Sequence, residues 1–147
     1  MLNTALTELY ERDLNSLKKE IESYADEQSL WLIKDGISNN AGNLCLHLIG
    51  NLNHFIGATL GKTGYVRERD KEFSQKNVPR KELISSIDKT LQVVKSTIEK
   101  LSADDFNSNF PLEFLGKTVK TDFMLINLVA HLNYHLGQIN YHRRLLS

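Results

Sequence analysis

Two histidines on one predicted helix have the spacing of a metal chelate. His131 and His135 are four residues apart, so at about 100° per residue their side chains project about 40° apart, one turn along the same helical face. Two imidazoles placed in this way converge on a single divalent ion. The same spacing also occurs between core histidines that hydrogen-bond to backbone or asparagine, so the pair alone does not decide between the two roles.

The other three histidines differ in their relation to this pair. His142 shares its angular stripe but lies about 10 Å beyond His135 along the helix axis, too far to share an ion with both. His47 and His54 are seven residues apart on an earlier predicted helix. Either of them could supply a third ligand, but not both at one ion.

All five histidines fall in two segments without a charged residue, 36–61 and 123–142. At the average charge content of the chain, those segments would hold about 11 charged residues. We therefore expect both helices to be central, where imidazole nitrogens need hydrogen-bond partners or a metal ion. Neither segment resembles a membrane span, because asparagine and histidine side chains are costly in hydrocarbon.

Side chains near the histidines are candidates for orienting the ligands or lining a pocket. Gln138 lies one turn beyond His135 and suits either an outer hydrogen-bond partner of a ligand imidazole or a satisfied interior amide. Tyr134 and Trp31 suit the core or a pocket wall better than a chemical role.

The helix of His47 also carries small residues near the histidine face. Asn51 is accompanied there by Gly50, Gly57 and Ala58. Small side chains permit another helix to approach closely, or they leave room for a bound molecule. We therefore expect a pocket beside the histidines, with Asn51 on its wall.

Hydrophobic periodicity predicts four long helices that position these residues. Their expected bounds, set by periodicity, capping residues and prolines, are the N-terminus to about Tyr24, Asn39/Asn40 to about Leu60, Pro79 to about Leu101, and about Thr121 to Leu146. The polar stretch after the second helix becomes a long connection. We predict an all-α four-helix bundle with a long crossover between the second and third helices.

Length and composition indicate one ordinary globular domain, residues 1–147. A chain of 147 residues is long enough to bury one core and too short for two, and its 18 basic residues, 18 acidic residues and 41% hydrophobic content are those of an ordinary globular protein. Balanced charge disfavours nucleic acid and membranes as partners. The single Cys45 excludes an intrachain disulfide and a thiolate zinc cage, and the N-terminus lacks the features of a secretory signal, so we expect a cytoplasmic protein.

Two segments carry a resemblance to a known family. NLCLHLIGNLNHF (43–55) and AHLNYHLGQINYHRR (130–144) resemble the DinB/YfiT-like superfamily of small bacterial metal-binding four-helix proteins. The resemblance extends in order across nearly the whole chain. It implies a four-helix bundle, often a homodimer, with a three-histidine site for zinc or nickel-like ions. Matched onto this sequence, the ligands fall on His47, His131 and His135, whereas His54 and His142 have no assigned role.

The resemblance implies more than one activity, since some members resemble thiol S-transferases and others are described as metal-dependent hydrolases. Our leading hypothesis is an enzyme with one zinc or nickel ion per chain that activates a low-molecular-weight thiol for transfer to a small-molecule substrate. The alternatives are a hydrolase that uses metal-bound hydroxide and a non-catalytic metal-binding or structural dimer. No HExxH-type glutamate accompanies the histidines, which disfavours peptide hydrolysis.

Overall fold

Helices make up most of residues 1–146, the part of the chain that the computed structural model describes. They are α1 (Leu2–Ser23), α2 (Ala41–Leu52), α3 (Arg69–Ser74), α4 (Arg80–Glu99), α5 (Ala103–Asn107) and α6 (Thr121–Leu146). A 3₁₀ turn, Glu27–Trp31, precedes α2. Residues 1–146 contain no β-strand, only the isolated bridges Asn109–Lys120 and Phe114–Lys117. The predicted all-α class is confirmed.

Capping residues begin the helices close to the predicted positions. The side chain of Asn40 accepts a hydrogen bond from the backbone N–H of Asn43 at 2.7 Å and so caps α2. Pro79 stands immediately before α4, where its fixed φ directs the chain into the helix. Ser102 and Asp105 form a reciprocal capping box at the start of α5.

The helix that bears His47 changes its winding part-way along. The sequence predicts one α-helix to about Leu60, but α2 ends at Leu52 and residues Asn53–Ala58 form a π-helix. The Asn53 side-chain amide donates to the Ile49 carbonyl at 2.8 Å and to the Thr90 hydroxyl of α4 at 2.9 Å. These bonds favour the wider turn, and single π-turns inside helices often lie at functional sites.

Helices α1 and α6 are parallel neighbours. The hydroxyl of Tyr10 donates to the Leu125 carbonyl at 2.6 Å. The hydroxyl of Tyr24, later in the chain than Tyr10, contacts the carbonyl of Ile139, later in the chain than Leu125, at 3.2 Å. Each step along α1 is therefore matched by a step in the same direction along α6.

Helices α2 and α4 are also parallel neighbours. Asn53 contacts Thr90, and Gly57 and Gly61 pack against residues further along α4, Val93 and Thr97. A chain that joins two parallel neighbours must return along the length of the bundle. This requirement explains the connection of about twenty residues between the π-helix and α4, and it confirms the predicted crossover between the second and third long helices.

The two uncharged helices differ in how deeply they are buried. Nearly every side chain of α2 is buried, as expected for a central helix. Helix α6 buries one face in the core and exposes another, which includes Phe123, Ile126, Tyr134 and Tyr141. The expectation of a central position is therefore correct for α2 and wrong for this face of α6. None of the described helices combines the length and apolar character needed to cross a bilayer.

Candidate metal centre

Three imidazole nitrogens converge between α2 and α6. The Nε2 atom of His131 lies 3.1 Å from Nε2 of His135 and 3.3 Å from Nε2 of His47. One potential ligand atom from each ring lies within 4.8 Å of the other two. His131 and His135 come together because they are one turn apart on α6, and His47 meets them from the neighbouring helix.

In two of these rings, the nitrogen that does not belong to the cluster, Nδ1, contacts a hydrogen-bond acceptor. Nδ1 of His47 lies 3.1 Å from Oε1 of Glu72, and Nδ1 of His135 lies 2.7 Å from Oε1 of Gln138. The Nη2 atom of Arg67 also lies 3.4 Å from Nδ1 of His47, but the Glu72 carboxylate is closer and only accepts, so the proton of neutral His47 sits on Nδ1 and leaves the Nε2 lone pair bare. The Gln138 carbonyl oxygen imposes the same tautomer on His135.

This tautomer assignment tests whether the donor set suits a metal. Two bare Nε2 lone pairs, from His47 and His135, point at the Nε2 atom of His131. A proton on that atom could bridge to only one of them, so three neutral rings in this arrangement leave lone pairs facing one another. A divalent cation accepts all three, and a ligand imidazole commonly donates its other N–H to an acceptor of this kind. The residues therefore fit a transition-metal ion.

The surroundings of His131 and His47 favour the neutral imidazole, which is the form that binds metal. Burial, reinforced by the neighbouring His135 and His47, lowers the pKa of His131 to about 4. Burial also lowers the pKa of His47, and the hydrogen bond to Glu72 partly opposes that shift.

The crossover supplies a buried ion pair that reaches the site. Glu72 on α3 is only 6% exposed, and both its oxygens are held by Arg67, at 2.8 Å from Nε and 2.9 Å from Nη2. The carboxylate occupies the space beside Gly50, where a β-carbon would overlap it. Sequence reasoning treated 61–77 as a polar connection and missed both residues. The one available signal was Gly50, a glycine inside a buried helix.

A family model described as "Protein of unknown function (DUF1572)" matches residues 3–147. The chain belongs to the DUF1572 family. Its fold is that of two DinB-like crystal structures. A Bacillus cereus ATCC 10987 protein is 18% identical, with a TM-score of 0.70 over 90% of this chain and 84% of that one. A Bacillus subtilis protein is 13% identical, with a TM-score of 0.69 over 95% and 90% of the two chains. Comparison with curated proteins gives no significant match.

These matches confirm the resemblance to the DinB/YfiT-like superfamily for this DUF1572 protein. At such low identity the crystal structures establish the shared fold and nothing about activity.

The DUF1572 chain places the other predicted site residues at different distances from the triad. The Tyr134 ring lies 5.3 Å from that of His135, and its hydroxyl is 3.4 Å from the Gln138 amide nitrogen. Asn51 is one turn from His47 on α2 and is buried. Trp31 packs against Gly42 at the start of α2 instead, and in residues 1–146 it has no ring contact with the histidines.

The two remaining histidines lie outside the triad, and one of them is held in the core. His142 is buried, with Nδ1 at 2.6 Å from the Tyr24 hydroxyl and Nε2 at 2.9 Å from the Leu32 carbonyl. Both its nitrogens are therefore satisfied by protein. The ring of His54 makes an edge-to-face contact with that of Phe55 in the π-helix.

Side chains of the protein occupy the space beside Gly50 of α2 and Gly57 of the π-helix. Gly50 accommodates Glu72, and Gly57 accommodates Val93 and Thr63. The expectation that these two positions leave room for a bound molecule is therefore wrong, and close packing is the reason for their small size. The open side of the site lies at α6, where Tyr134 is 64% exposed.

Substituting these glycines tests the packing directly. Gly50→Ala is expected to destabilise the protein by about 1–3 kcal/mol through overlap with Glu72, although alanine is the better helix former. Gly137→Ala is the matched control, because a β-carbon there meets nothing within 4 Å and should stabilise by up to about 1 kcal/mol. Urea unfolding measures both, and equal effects would contradict the role assigned to Gly50.

Proposed function

We propose that this protein holds one divalent transition-metal ion per chain, zinc or nickel, through Nε2 of His47, His131 and His135. The observation that carries the proposal is the convergence of these three atoms while Nδ1 of two rings is bound to acceptors. Satisfied core histidines would turn their lone pairs toward donors, as His142 does toward Tyr24.

An ion held in this way keeps a position for an exchangeable ligand. Among residues 1–146, no fourth His, Cys, Asp or Glu joins the cluster. Cys45 is fully buried elsewhere in the core, where burial raises the pKa of its thiol to about 12. Structural zinc sites are usually closed by a fourth protein ligand, whereas three protein ligands are typical of catalytic sites. This composition supports an enzyme over a purely structural metal site.

The reaction that the site supports best is activation of a low-molecular-weight thiol for S-transfer. A divalent ion with three neutral ligands lowers the pKa of a coordinated thiol, so that the sulfur is nucleophilic at neutral pH. The chain then has only to bind and orient the reactants, for which Tyr134 and Gln138 lie beside His135 at the exposed edge.

Hydrolysis is the weaker candidate because it gains from a carboxylate base. The acidic residue nearest the triad is Glu72, and its oxygens are occupied by Arg67 and the outer nitrogen of His47. The carboxylate of Asp105 is engaged in capping α5. A thiol needs no such base, since its own acidity is sufficient once its pKa is lowered.

The assay combines metal-loaded protein with a panel of bacterial thiols and a chromogenic electrophile. We expect metal-dependent conjugation with at least one thiol, and no conjugation with His135→Ala. Metal-dependent ester or amide hydrolysis without any conjugation would instead establish the hydrolase. Absence of both activities in protein that holds metal would leave a metal-binding protein without catalysis.

Metal retention should depend on pH in a direction set by the imidazoles. Only neutral rings bind metal, and the pKa values of His47 and His131 lie below that of ordinary histidine. Proton competition at these two rings therefore begins at lower pH, and we expect the zinc affinity to fall steeply between about pH 6 and pH 4. Chelator competition across this range measures the change, and an affinity that stayed constant down to pH 4 would contradict it.

We further propose that two copies associate through the exposed, uncharged face of α6, with Tyr134 and the open side of the metal centre at the border of the interface. Phe123 and Tyr141 on this face are 52% and 64% exposed, and no charged side chain lies between them on the helix. Several exposed aromatic and aliphatic side chains on one uncharged helix face are typical of an interface. Light scattering at micromolar concentration should give twice the chain mass of 16.8 kDa, and Tyr141→Lys should shift it toward a monomer. A wild-type monomer would overturn this proposal.

A further inference from the structure

The outer nitrogen of the third ligand has no partner. Nδ1 of His131 is buried and without a hydrogen bond, whereas Nδ1 of His47 and of His135 each has an acceptor. If Nε2 of His131 binds metal, Nδ1 carries the proton and needs an acceptor, because an unsatisfied buried donor costs about 1–3 kcal/mol.

One hydrogen-bond acceptor, the side-chain oxygen of Asn51, is also buried without a partner. Among the side-chain atoms of residues 1–146, the buried ones without a partner are Nδ1 of His131, Oδ1 of Asn51 and the hydroxyl oxygen of Thr7. Asn51 is 7% exposed, and its carbonyl oxygen is an acceptor that lacks a donor. Thr7 belongs to α1 and lies outside the histidine cluster.

Helix geometry directs Asn51 toward His131. Asn51 follows His47 by one turn on the same face of α2, and His47 meets His131 across the helix interface. Helices α2 and α6 are antiparallel, because the earlier residue Leu44 lines one cavity with the later residue Tyr141. Going from His47 to Asn51 along α2 therefore leads toward the N-terminal side of His131 on α6. Side chains on a helix lean toward its N-terminus, so the His131 ring leans toward Asn51.

We infer that Asn51 is a positioning residue whose side-chain carbonyl accepts a hydrogen bond from Nδ1–H of His131 when the site holds its ion. This inference rests on the three-histidine site proposed above and completes its outer partners. Each ligand ring then has one acceptor: Glu72 for His47, Gln138 for His135 and Asn51 for His131. Two of the three acceptors are neutral amides, so the ion keeps more of its positive charge than three carboxylates would allow.

The test compares zinc affinity in three variants by chelator competition, with circular dichroism to confirm the helical fold. Asn51→Leu keeps the size but removes the acceptor, and we expect zinc binding about 10–100-fold weaker. Asn51→Asp keeps an acceptor and should bind within a few-fold of wild type. Thr7→Val, which removes the other unpartnered atom, should leave the zinc affinity unchanged.

Nitrogen-15 NMR of zinc-loaded wild-type protein gives a readout that does not depend on the folding of Asn51→Leu. We expect a slowly exchanging, hydrogen-bonded Nδ1 proton on His131, with a shift that changes in Asn51→Asp. Zinc affinity in Asn51→Leu equal to wild type, or a His131 Nδ1 proton that exchanges freely, would overturn this inference and leave the three-histidine site intact. Failure of wild-type protein to bind zinc, nickel or cobalt would instead overturn the proposed function itself.

Discussion

His131→Ala is expected to reduce bound metal from one ion per chain to near zero. His131 is the central ligand, since its Nε2 atom lies within 3.3 Å of both other ligand atoms. Its loss leaves two imidazoles on different helices, and two neutral ligands do not hold a divalent ion against dilution. His47→Ala and His135→Ala should have the same effect. Elemental analysis of protein purified without an affinity tag measures the metal content.

Substitutions of the other two histidines separate ligand loss from general damage. His54→Ala, in the π-helix that continues α2, is the matched control and should retain the full metal content. His142→Ala should also retain metal in the folded fraction, but it removes the Nδ1 partner of the Tyr24 hydroxyl and the donor to the Leu32 carbonyl, and it should lower the unfolding midpoint. Wild-type metal content in His131→Ala would refute the ligand assignment.

The convergence of the triad was predictable because both of its determinants are local. The i, i+4 spacing of His131 and His135 follows from helix geometry alone. The absence of charge around His47 marks α2 as the central helix, and its burial agrees with that expectation. The choice of His47 over His54 came from the family resemblance, because residue spacing alone left both open.

The parts of the site that escaped prediction depend on contacts between distant segments. Glu72 and Arg67 lie in a polar stretch whose composition is that of an exposed connection. They become buried only because the crossover folds back over α2 and the Gly50 notch admits the carboxylate. The π-turn that begins at Asn53 depends likewise on a bond to Thr90 of α4. The exposed face of α6 was missed because an uncharged segment equally fits a buried core and an interface.

Arg67→Met should destabilise the protein by about 3 kcal/mol, a large fraction of the stability of a small domain. The Arg67 and Glu72 side chains are 11% and 6% exposed, so removal of the guanidinium leaves a buried carboxylate without its cation. Disruption of a buried ion pair costs about 3–5 kcal/mol. Glu72 keeps its hydrogen bond with His47, so we expect a cost at the lower end of this range. Urea unfolding of apo and zinc-loaded protein measures it.

The matched control is the neighbouring pair on the surface of the crossover. Lys71 and Glu68 are joined at 2.8 Å with side chains 65% and 63% exposed, so Lys71→Met should cost less than about 1 kcal/mol. An equal cost for Arg67→Met and Lys71→Met would mean that burial of Glu72 does not matter to stability.

A double variant distinguishes the structural role of the buried pair from its role at the metal. In Arg67→Met with Glu72→Gln, no uncompensated charge remains, and we expect recovery of at least half the stability lost in Arg67→Met. The glutamine still accepts from Nδ1 of His47 but without a negative charge, so zinc affinity should stay about 10-fold below wild type. Recovery of stability together with full zinc affinity would show that Glu72 serves the fold alone. Stability that recovers while affinity stays low would establish that its charge acts on the metal ligand through His47.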